Sequence, residues 1–440
     1  MLSEKAKLPR KTRNKVQIFQ SVKGMSDILP KDHNWWKAVY DVGWEISELH
    51  DFYHIETPIL EEAALFERGV GEMTDIVEKE MYVFKTRGGE RVALRPEGTS
   101  PVMRSYLENH LGYFSTPLKV FYVGPMFRYE RPQHGRSREH HQWGFEILGD
   151  GDAVYDAQII LVTLAFLNGL RLKEPVLKIN TIGCRVCRPN YRNKLKDYYR
   201  HKKNKLCKDC ERRYENNIFR LLDCKEPECV ELKKEAPIIL DYLCSACNTH
   251  FRSVLELIED NNIAYEPDPY LARGLDYYNR TVFEVFSPSL PSVSVAGGGR
   301  YDYLAELLGA RPISGVGVGI GLERLIEAMK ATEGYVLPVR PKPKTFFIGV
   351  GDEAKKASVK YINQLRFSGI QTLESLGKKS LRVQLKSADK YKAKLAVILG
   401  QREVFEGSAI IRDMKTGVQE TVVLDKLVEE VKKRLKNSHD

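Results

Sequence analysis

Residues 315 to 321 read Gly-Val-Gly-Val-Gly-Ile-Gly, and glycine alternating with aliphatic residues at period two makes a strand with one bare face. A flat ring can lie against such a face, and Leu322 then opens a helix carrying Arg324. The glycines superficially match Gly-x-Gly-x-x-Gly nucleotide loops. Their period is two and no strand–helix–strand unit precedes them, so the dinucleotide-fold and kinase-loop readings both fail.

The 440 residues predict several domains with ample core. Lys and Arg exceed Asp and Glu by 69 to 59, a balance that suits a polyanionic partner without demanding one. No apolar run approaches the ~20 residues that span a bilayer, so a membrane-spanning chain is not expected. Residues 1–17 read as a basic flexible tail without a secretory leader, and a cytoplasmic protein is expected.

All eight cysteines fall between Cys184 and Cys247, as Cys184-x-x-Cys187, Cys207-x-x-Cys210, Cys224-x4-Cys229 and Cys244-x-x-Cys247. Four close pairs let thiolates converge on one or two tetrahedral metals, so structural Zn2+ is favoured over reduced thiols or a redox role. Nothing points to an oxidising compartment that would favour disulfides. The stretch from Arg188 to Lys205 carries eight Lys or Arg against one Asp, a composition shift that marks 183–262 as a cysteine-rich insertion.

Around it, residues 18–182 and 263–333 form one expected α+β domain, with an antiparallel sheet of six or more strands flanked by helices. The pattern predicts a helix at Trp36–Leu49 and strands at Ile55–Ile59, Val92–Leu94, Val120–Val123, Tyr270–Phe286 and Ser294–Gly298. Pro338 to Lys344 reads as a stiff linker with three prolines. Beyond it, 343–440 predicts a small α/β sheet: strands Phe346–Val350 and Leu395–Leu399, helices Glu353–Phe367 and Leu424–Leu435, and a hairpin over Ser408–Val423.

Four stretches mix glycine, arginine and acids in a way that serves a charged ligand better than a core. Leu94 to Thr99 places Glu97, Gly98 and Thr99 on a turn able to hold an ammonium group. Phe127 to Arg138 packs four arginines around a Pro-Gly turn, an arrangement that suits phosphate oxygens. Leu271 to Asn279 offers Arg273, Tyr277 and Tyr278 beside a glycine, and Ala296 to Asp302 precedes the bare strand.

Taken in order, these motifs resemble those of histidyl-tRNA synthetases, a class II aminoacyl-tRNA synthetase family. The Pro58 strand is similar to the first class II signature, Phe127–Glu146 to the second and Gly315–Leu325 to the third, while Leu271–Asn279 resembles the histidine-specific signature. Gly369-Ile370, Lys379 to Leu381, Gln384 to Lys390 and Asp413 to Gly417 resemble the family's anticodon-binding domain. The resemblance implies formation of histidyl adenylate from L-histidine and ATP with Mg2+, then transfer to tRNA(His), by a homodimer joined across the Pro58 region.

It further implies Glu97, Gly98 and Thr99 at the α-ammonium, Glu146 and Tyr278 at the imidazole, and Gln142 and Tyr277 completing the histidine pocket. Arg128 and Arg273 would flank the α-phosphate, and with Gln142 they form the expected catalytic set. Arg136 would meet the outer phosphates and Arg324 would stack on adenine. Where the family usually stacks an aromatic on adenine this chain has His140, whose protonation is expected to weaken ATP binding below about pH 6.5. The turn from Arg131 to Arg138 and the basic insertion would face the tRNA acceptor end. A regulatory relative without charging activity would lack the C-terminal domain and the histidine signature, and a zinc-organised nucleic-acid binder leaves the pocket residues unexplained.

Overall fold

A computed structural model of the chain describes residues 19–131, 136–338, 344–377 and 380–437. The expected tail, the centre of the arginine-rich turn (132–135), most of the linker and Lys379 lie outside the described residues. One compact unit ends at Pro338 and the rest of the chain forms a second.

In the first unit the chain runs through α1 (His33–Leu49), β1 (Tyr53–His54), β2 (Leu60–Glu62), α2 (Ala63–Val70), β3 (Val83–Lys85), β4 (Arg91–Leu94), α3 (Thr99–Glu108), β5 (Leu118–Phe127), β6 (Glu139–Leu148), α4 (Ala153–Gly169) and β7 (Val176–Thr181). The cysteine region adds α5 (Arg188–Arg200), α6 (Lys208–Asn216), α7 (Pro227–Lys233) and α8 (Ser245–Asp260). Then follow β8 (Tyr265–Pro267), β9 (Asn279–Ser287), β10 (Leu290–Arg300), α9 (Leu304–Leu307), β11 (Gly315–Gly321) and α10 (Leu322–Ala331). Among the described residues the main sheet has eight strands in the order β1-β5-β6-β11-β10-β9-β7-β8, antiparallel except for the parallel pairs at its two edges. A small sheet, β2-β4-β3, stands beside it.

Strand alternation divides the labour of β6. Trp143, Phe145 and Ile147 are fully buried on one face, where Trp143 meets Phe166 of α4 at 5.4 Å and stacks on Phe121 at 5.2 Å. His140, Gln142, Gly144 and Glu146 therefore point the other way, onto the face that β11 leaves bare.

Two expected strands are shorter than their apolar pattern. Residues 55–59 lie between β1 and β2 instead of forming one strand: Ile55 still donates to the Phe121 carbonyl, but Pro58 has no N–H, and Arg95 Nη1 donates to the Thr57 carbonyl at 2.9 Å. Residues 270–278 are irregular, so the strand expected from Tyr270 begins only at Asn279. Side chains take that loop's carbonyls: Asn180 Nδ2 donates to Pro269 and Leu271, both at 3.1 Å, and Arg220 Nη1 to Gly274 at 2.9 Å.

One buried charge cluster ties sheet to helix. Arg300, at the end of β10, donates from Nε to both Asp156 oxygens on α4 at 3.2 and 3.0 Å and from Nη1 to Asp302 at 3.1 Å; Arg300 and Asp156 are both fully buried. Burial alone would raise the Asp156 carboxyl, but the Arg300 charge holds it below the ordinary carboxylate range. Its contribution is thus complete at neutral pH and is lost only in acid, below about pH 4. Asp156→Ala strands the arginine charge and is expected to cost about 3–5 kcal/mol in chemical denaturation at pH 7; a loss under about 1 kcal/mol would contradict it.

The second unit comprises β12 (Thr345–Gly349), α11 (Asp352–Phe367), β13 (Thr372–Glu374), α12 (Leu381–Lys390), β14 (Leu395–Leu399), α13 (Gln401–Phe405), β15 (Ser408–Asp413), β16 (Gln419–Val423) and α14 (Leu427–Asn437). Its sheet order is β13-β12-β14-β15-β16. Alternate residues serve opposite faces: Phe347, Val397 and Leu399 pack with α11 and α14, while Phe346, Ile348 and Ile398 pack with Ala388 of α12. The sequence reading lacked β13 and α12. It began the last helix at Leu424, three residues before α14; Leu424–Lys426 is a tighter single turn.

Candidate active site

Register places three glycines side by side. Tyr122 of β5 pairs with Gly144, Gly144 with Gly319, Gly319 with Gly297, and Gly297 with Glu284 of β9. The next row toward the sheet's far end runs Val120, Glu146, Gly317, Gly299 and Val282. The bare face is not empty, however. A Cβ on Gly317 would fall on the Glu146 carboxylate, one on Gly319 on the Gln142 amide, and one on Gly297 on the Arg273 guanidinium. The glycines of β10 and β11 make room for the polar side chains of neighbouring segments as well as for a ligand ring.

On the same face, beside the glycine row, lies a buried polar cluster. Glu97 accepts from the first amides of α3, Thr99 N at 2.6 Å and Ser100 N at 3.0 Å, so helix entry fixes its carboxylate. Thr99 Oγ1 donates to Glu146 Oε1 at 2.7 Å, the Tyr301 hydroxyl donates to Glu146 Oε2, and the Tyr277 hydroxyl reaches Glu97 at 3.4 Å. Tyr278 stacks obliquely on Tyr277 at 4.7 Å, and the Tyr122 hydroxyl lies 3.4 Å from Gln142 Oε1. Gly98 is needed because a Cβ there would strike the Tyr122 ring. A Glu carboxylate has about four acceptor sites, so Glu97 and Glu146 retain lone pairs for a ligand.

Burial, despite the Tyr301 and Thr99 hydrogen bonds, pushes the Glu146 carboxyl up to about 8 from 4.5. The folded state therefore binds this proton more tightly than the unfolded chain, and between those two pH values stability falls as pH rises. Glu146→Gln keeps the hydrogen-bonding pattern of the protonated acid. It is expected to melt higher than the parent at pH 8.5, by a margin that shrinks at pH 6; parallel melting curves across that range would contradict this.

In front of the cluster opens a cavity of about 1600 Å³ lined by Arg128, Arg136, His140, Gln142, Arg273 and Arg324, among others. Arg273 forms an ion pair with Glu284, whose charge raises the arginine's pKa against the opposing effect of burial. Arg128 Nε donates to the Pro96 carbonyl at 2.9 Å, Arg136 lies 3.3 Å from Glu130, and Arg324 Nη1 donates to the Ser294 carbonyl at 2.9 Å. Burial, then the charges of Arg136 and Arg128, lowers the Arg324 pKa. A cavity that gathers several arginine charges, two of which lower the Arg324 pKa, makes a site for a polyanion.

The same surroundings overturn the expected His140 switch. Burial, followed by the Arg128 and Arg324 charges, holds the His140 imidazole down at about 3, so it stays neutral where ATP binding is ordinarily measured. The ATP dissociation constant is expected to show no His140 titration between pH 5.5 and 8; a protonation step near pH 6.5 that disappears in His140→Phe would contradict this.

The structure gathers the residues expected from the sequence around one glycine floor and adds Tyr122, Glu284 and Tyr301, which the sequence did not single out for a role. Tyr301 stood within a motif already singled out. Glu284 and Tyr122 were legible only through pairing, since each flanks the glycine row.

The eight cysteines gather into two sets, Cys184, Cys187, Cys244 and Cys247, and Cys207, Cys210, Cys224 and Cys229. In each, the four sulfurs lie within 4.8 Å of one another.

An antiparallel sheet bearing an arginine-lined cavity over a glycine floor, joined to a separate α/β unit, is the architecture of a class II aminoacyl-tRNA synthetase. A family model described as histidyl-tRNA synthetase matches residues 24–325, and an anticodon binding domain matches 335–434. The chain is 42% identical over 420 residues to a histidine–tRNA ligase of Dehalococcoides mccartyi, covering 95% of this chain and all of that one. It is 43% identical to the histidine–tRNA ligase of Halothermothrix orenii, covering 93% and 98%. The crystal structure of apo S. aureus histidyl-tRNA synthetase superposes with a TM-score of 0.78 at 31% identity, covering 94% of this chain and 99% of that one. This chain belongs to the histidyl-tRNA synthetase family.

Proposed function

We propose that the protein is a histidine–tRNA ligase, which activates L-histidine with ATP and Mg2+ and transfers it to the 3′ end of tRNA(His). The carrying observation is Arg273, in the stretch 271–279 that resembles the histidine signature, placed over Gly297 in the same cavity as Arg128. A carboxylate oxygen of histidine attacks the α-phosphorus in line as the bond to the β-phosphate oxygen breaks, and diphosphate leaves. The carboxylate is already ionised, so this step needs positioning and charge neutralisation more than a base. Arg128 and Arg273 neutralise the α-phosphate from two sides, and Gln142 orients the carboxylate. A ribose hydroxyl of the tRNA then attacks the carbonyl carbon and AMP departs.

Glu97, Gly98 and Thr99 receive the α-ammonium. Glu146 and Tyr278 read the imidazole, Tyr277 and Gln142 complete the histidine pocket, Arg136 meets the outer phosphates, and Arg324 with neutral His140 encloses adenine. We assign the catalytic domain to 18–182 and 263–333, the insertion to 183–262 and the anticodon-binding domain to 343–440, with the insertion's cysteines holding structural Zn2+. The protein acts as a cytoplasmic homodimer; no helix among the described residues is long and apolar enough to cross a membrane.

Charging of tRNA(His) transcripts with labelled histidine tests the whole reading. Acceptance by tRNA(His) and not by other transcripts is expected, and no charging by folded protein would overturn it.

A further inference from the structure

The two inner helices of the insertion are short, nine residues in α6 and seven in α7, and helices of that length do not hold themselves together in water. Its small core mixes three tyrosines and seven aliphatic side chains with Cys210, Cys224 and Cys229. Such a module needs a staple.

The two cysteine sets supply one. Cys184 Sγ lies 3.7 Å from Cys187 Sγ and 3.8 Å from Cys244 Sγ, and Cys207 Sγ lies 3.9 Å from Cys224 Sγ. Sulfurs about 2.3 Å from a tetrahedral zinc stand about 3.8 Å apart, whereas a disulfide brings two of them to about 2.05 Å. Backbone amides also point at the sulfurs: Cys244 N at Cys187 Sγ (3.1 Å), Cys207 N at Cys229 Sγ (3.3 Å) and Val186 N at Cys184 Sγ (3.4 Å). Donors aimed at sulfur favour thiolate, the form that binds metal.

The pairing is nested. The outer set joins the first and last CxxC, at the starts of α5 and α8, and so closes the base of the region; the inner set lies wholly within it. Between Cys210 and Cys224 the chain supplies the side chains that hold residues 274 to 276 and the neighbouring Asp75, while Arg188 at the start of α5 separately donates to the Tyr278 carbonyl. Arg213 Nη2 and Arg220 Nη2 donate to Asp75 Oδ2 at 2.6 and 2.9 Å, Arg220 Nη1 to the Gly274 carbonyl at 2.9 Å, and Asn217 Nδ2 to Asp276 at 3.1 Å. Gly274 and Asp276 belong to the loop that carries Arg273, and Cys207 and Cys224 line the same cavity as that arginine.

We propose that the chain binds two Zn2+ ions, one in each four-sulfur set, and that the inner ion holds the 210–224 segment in the form that positions the histidine loop. The second half rests on the function proposed above. Neither ion takes part in the chemistry; the inner one acts through Arg220 and Asn217 on residues 274 to 276, making these positioning residues.

The test uses the full chain purified without chelators, with metal content measured by mass spectrometry and histidine affinity by calorimetry. Two zinc ions per chain are expected, one in Cys184→Ser/Cys187→Ser and one in Cys207→Ser/Cys210→Ser. The latter is expected to bind histidine at least tenfold more weakly and to be cut faster by protease between residues 206 and 233. Cys210→His, which retains a zinc ligand, should restore both. Stripping the parent with a strong chelator and adding back Zn2+ should reproduce the loss and recovery without any substitution. Metal-free native protein, iron in place of zinc, or unchanged histidine affinity after loss of the inner ion would overturn the proposal. Two zinc ions in a protein that binds no histidine would instead overturn the proposed function and leave the metal assignment standing.

Discussion

Arg273→Ala is expected to lower the rate of histidyl-adenylate formation by about 10²- to 10³-fold, the scale seen when one preorganised hydrogen-bond donor is removed from a developing oxyanion. The loss should appear in kcat at saturating histidine and ATP, because the guanidinium is most needed as charge builds on the α-phosphate. Arg273→Lys should recover little, since an ammonium lacks the planar fork that can face Glu284 and an incoming carboxylate or phosphate together. Glu284→Gln serves as the companion variant. With the arginine no longer held by its partner before substrate arrives, KM for histidine is expected to rise more than kcat falls. Pre-steady-state adenylate formation separates these effects; an Arg273→Ala enzyme forming adenylate at the parent rate would remove arginine from the mechanism.

Gly317→Ala is expected to abolish measurable histidine binding, a loss of at least 100-fold, although the change adds only one methyl group. That methyl would occupy the place of the Glu146 carboxylate, and Glu146 cannot retreat because Thr99 and Tyr301 hold both its oxygens. Overpacking of this kind costs about 1–3 kcal/mol in stability, so the variant should remain folded at room temperature. Gly309→Ala is the control: a Cβ there meets nothing within 4 Å, though its φ of +88° adds local strain, and histidine binding should be unchanged. Calorimetry with histidine on both proteins checks the contrast, and near-parent affinity in Gly317→Ala would show that the glycine row does not shape the pocket.

Much of this site could be read from local pattern. The period-two glycines of β11 fixed both the strand and its open face, and the arginine-dense turn announced an anion. Pairing was harder to read. Nothing in the local sequence says that Glu146 stands opposite Gly317 or Glu284 opposite Gly297, because register is set by strands far apart in the chain. The expected strand over 55–59 failed where Pro58 removed a donor, and the one from Tyr270 failed where Asn180 and Arg220 captured the loop's carbonyls. His140 misled for a related reason. Its identity suggests a titration near neutrality, while burial beside Arg128 and Arg324, visible only in three dimensions, removes it. Cysteine spacing gave four pairs, but the nesting of first with fourth and second with third is a property of the fold.

The most direct measurement is ATP–pyrophosphate exchange on the purified protein with each of the twenty amino acids in turn. Exchange with histidine alone, lost in Arg273→Ala, is the predicted result. Exchange driven equally by other amino acids, or none with histidine from a folded, magnesium-supplied enzyme, would contradict the account.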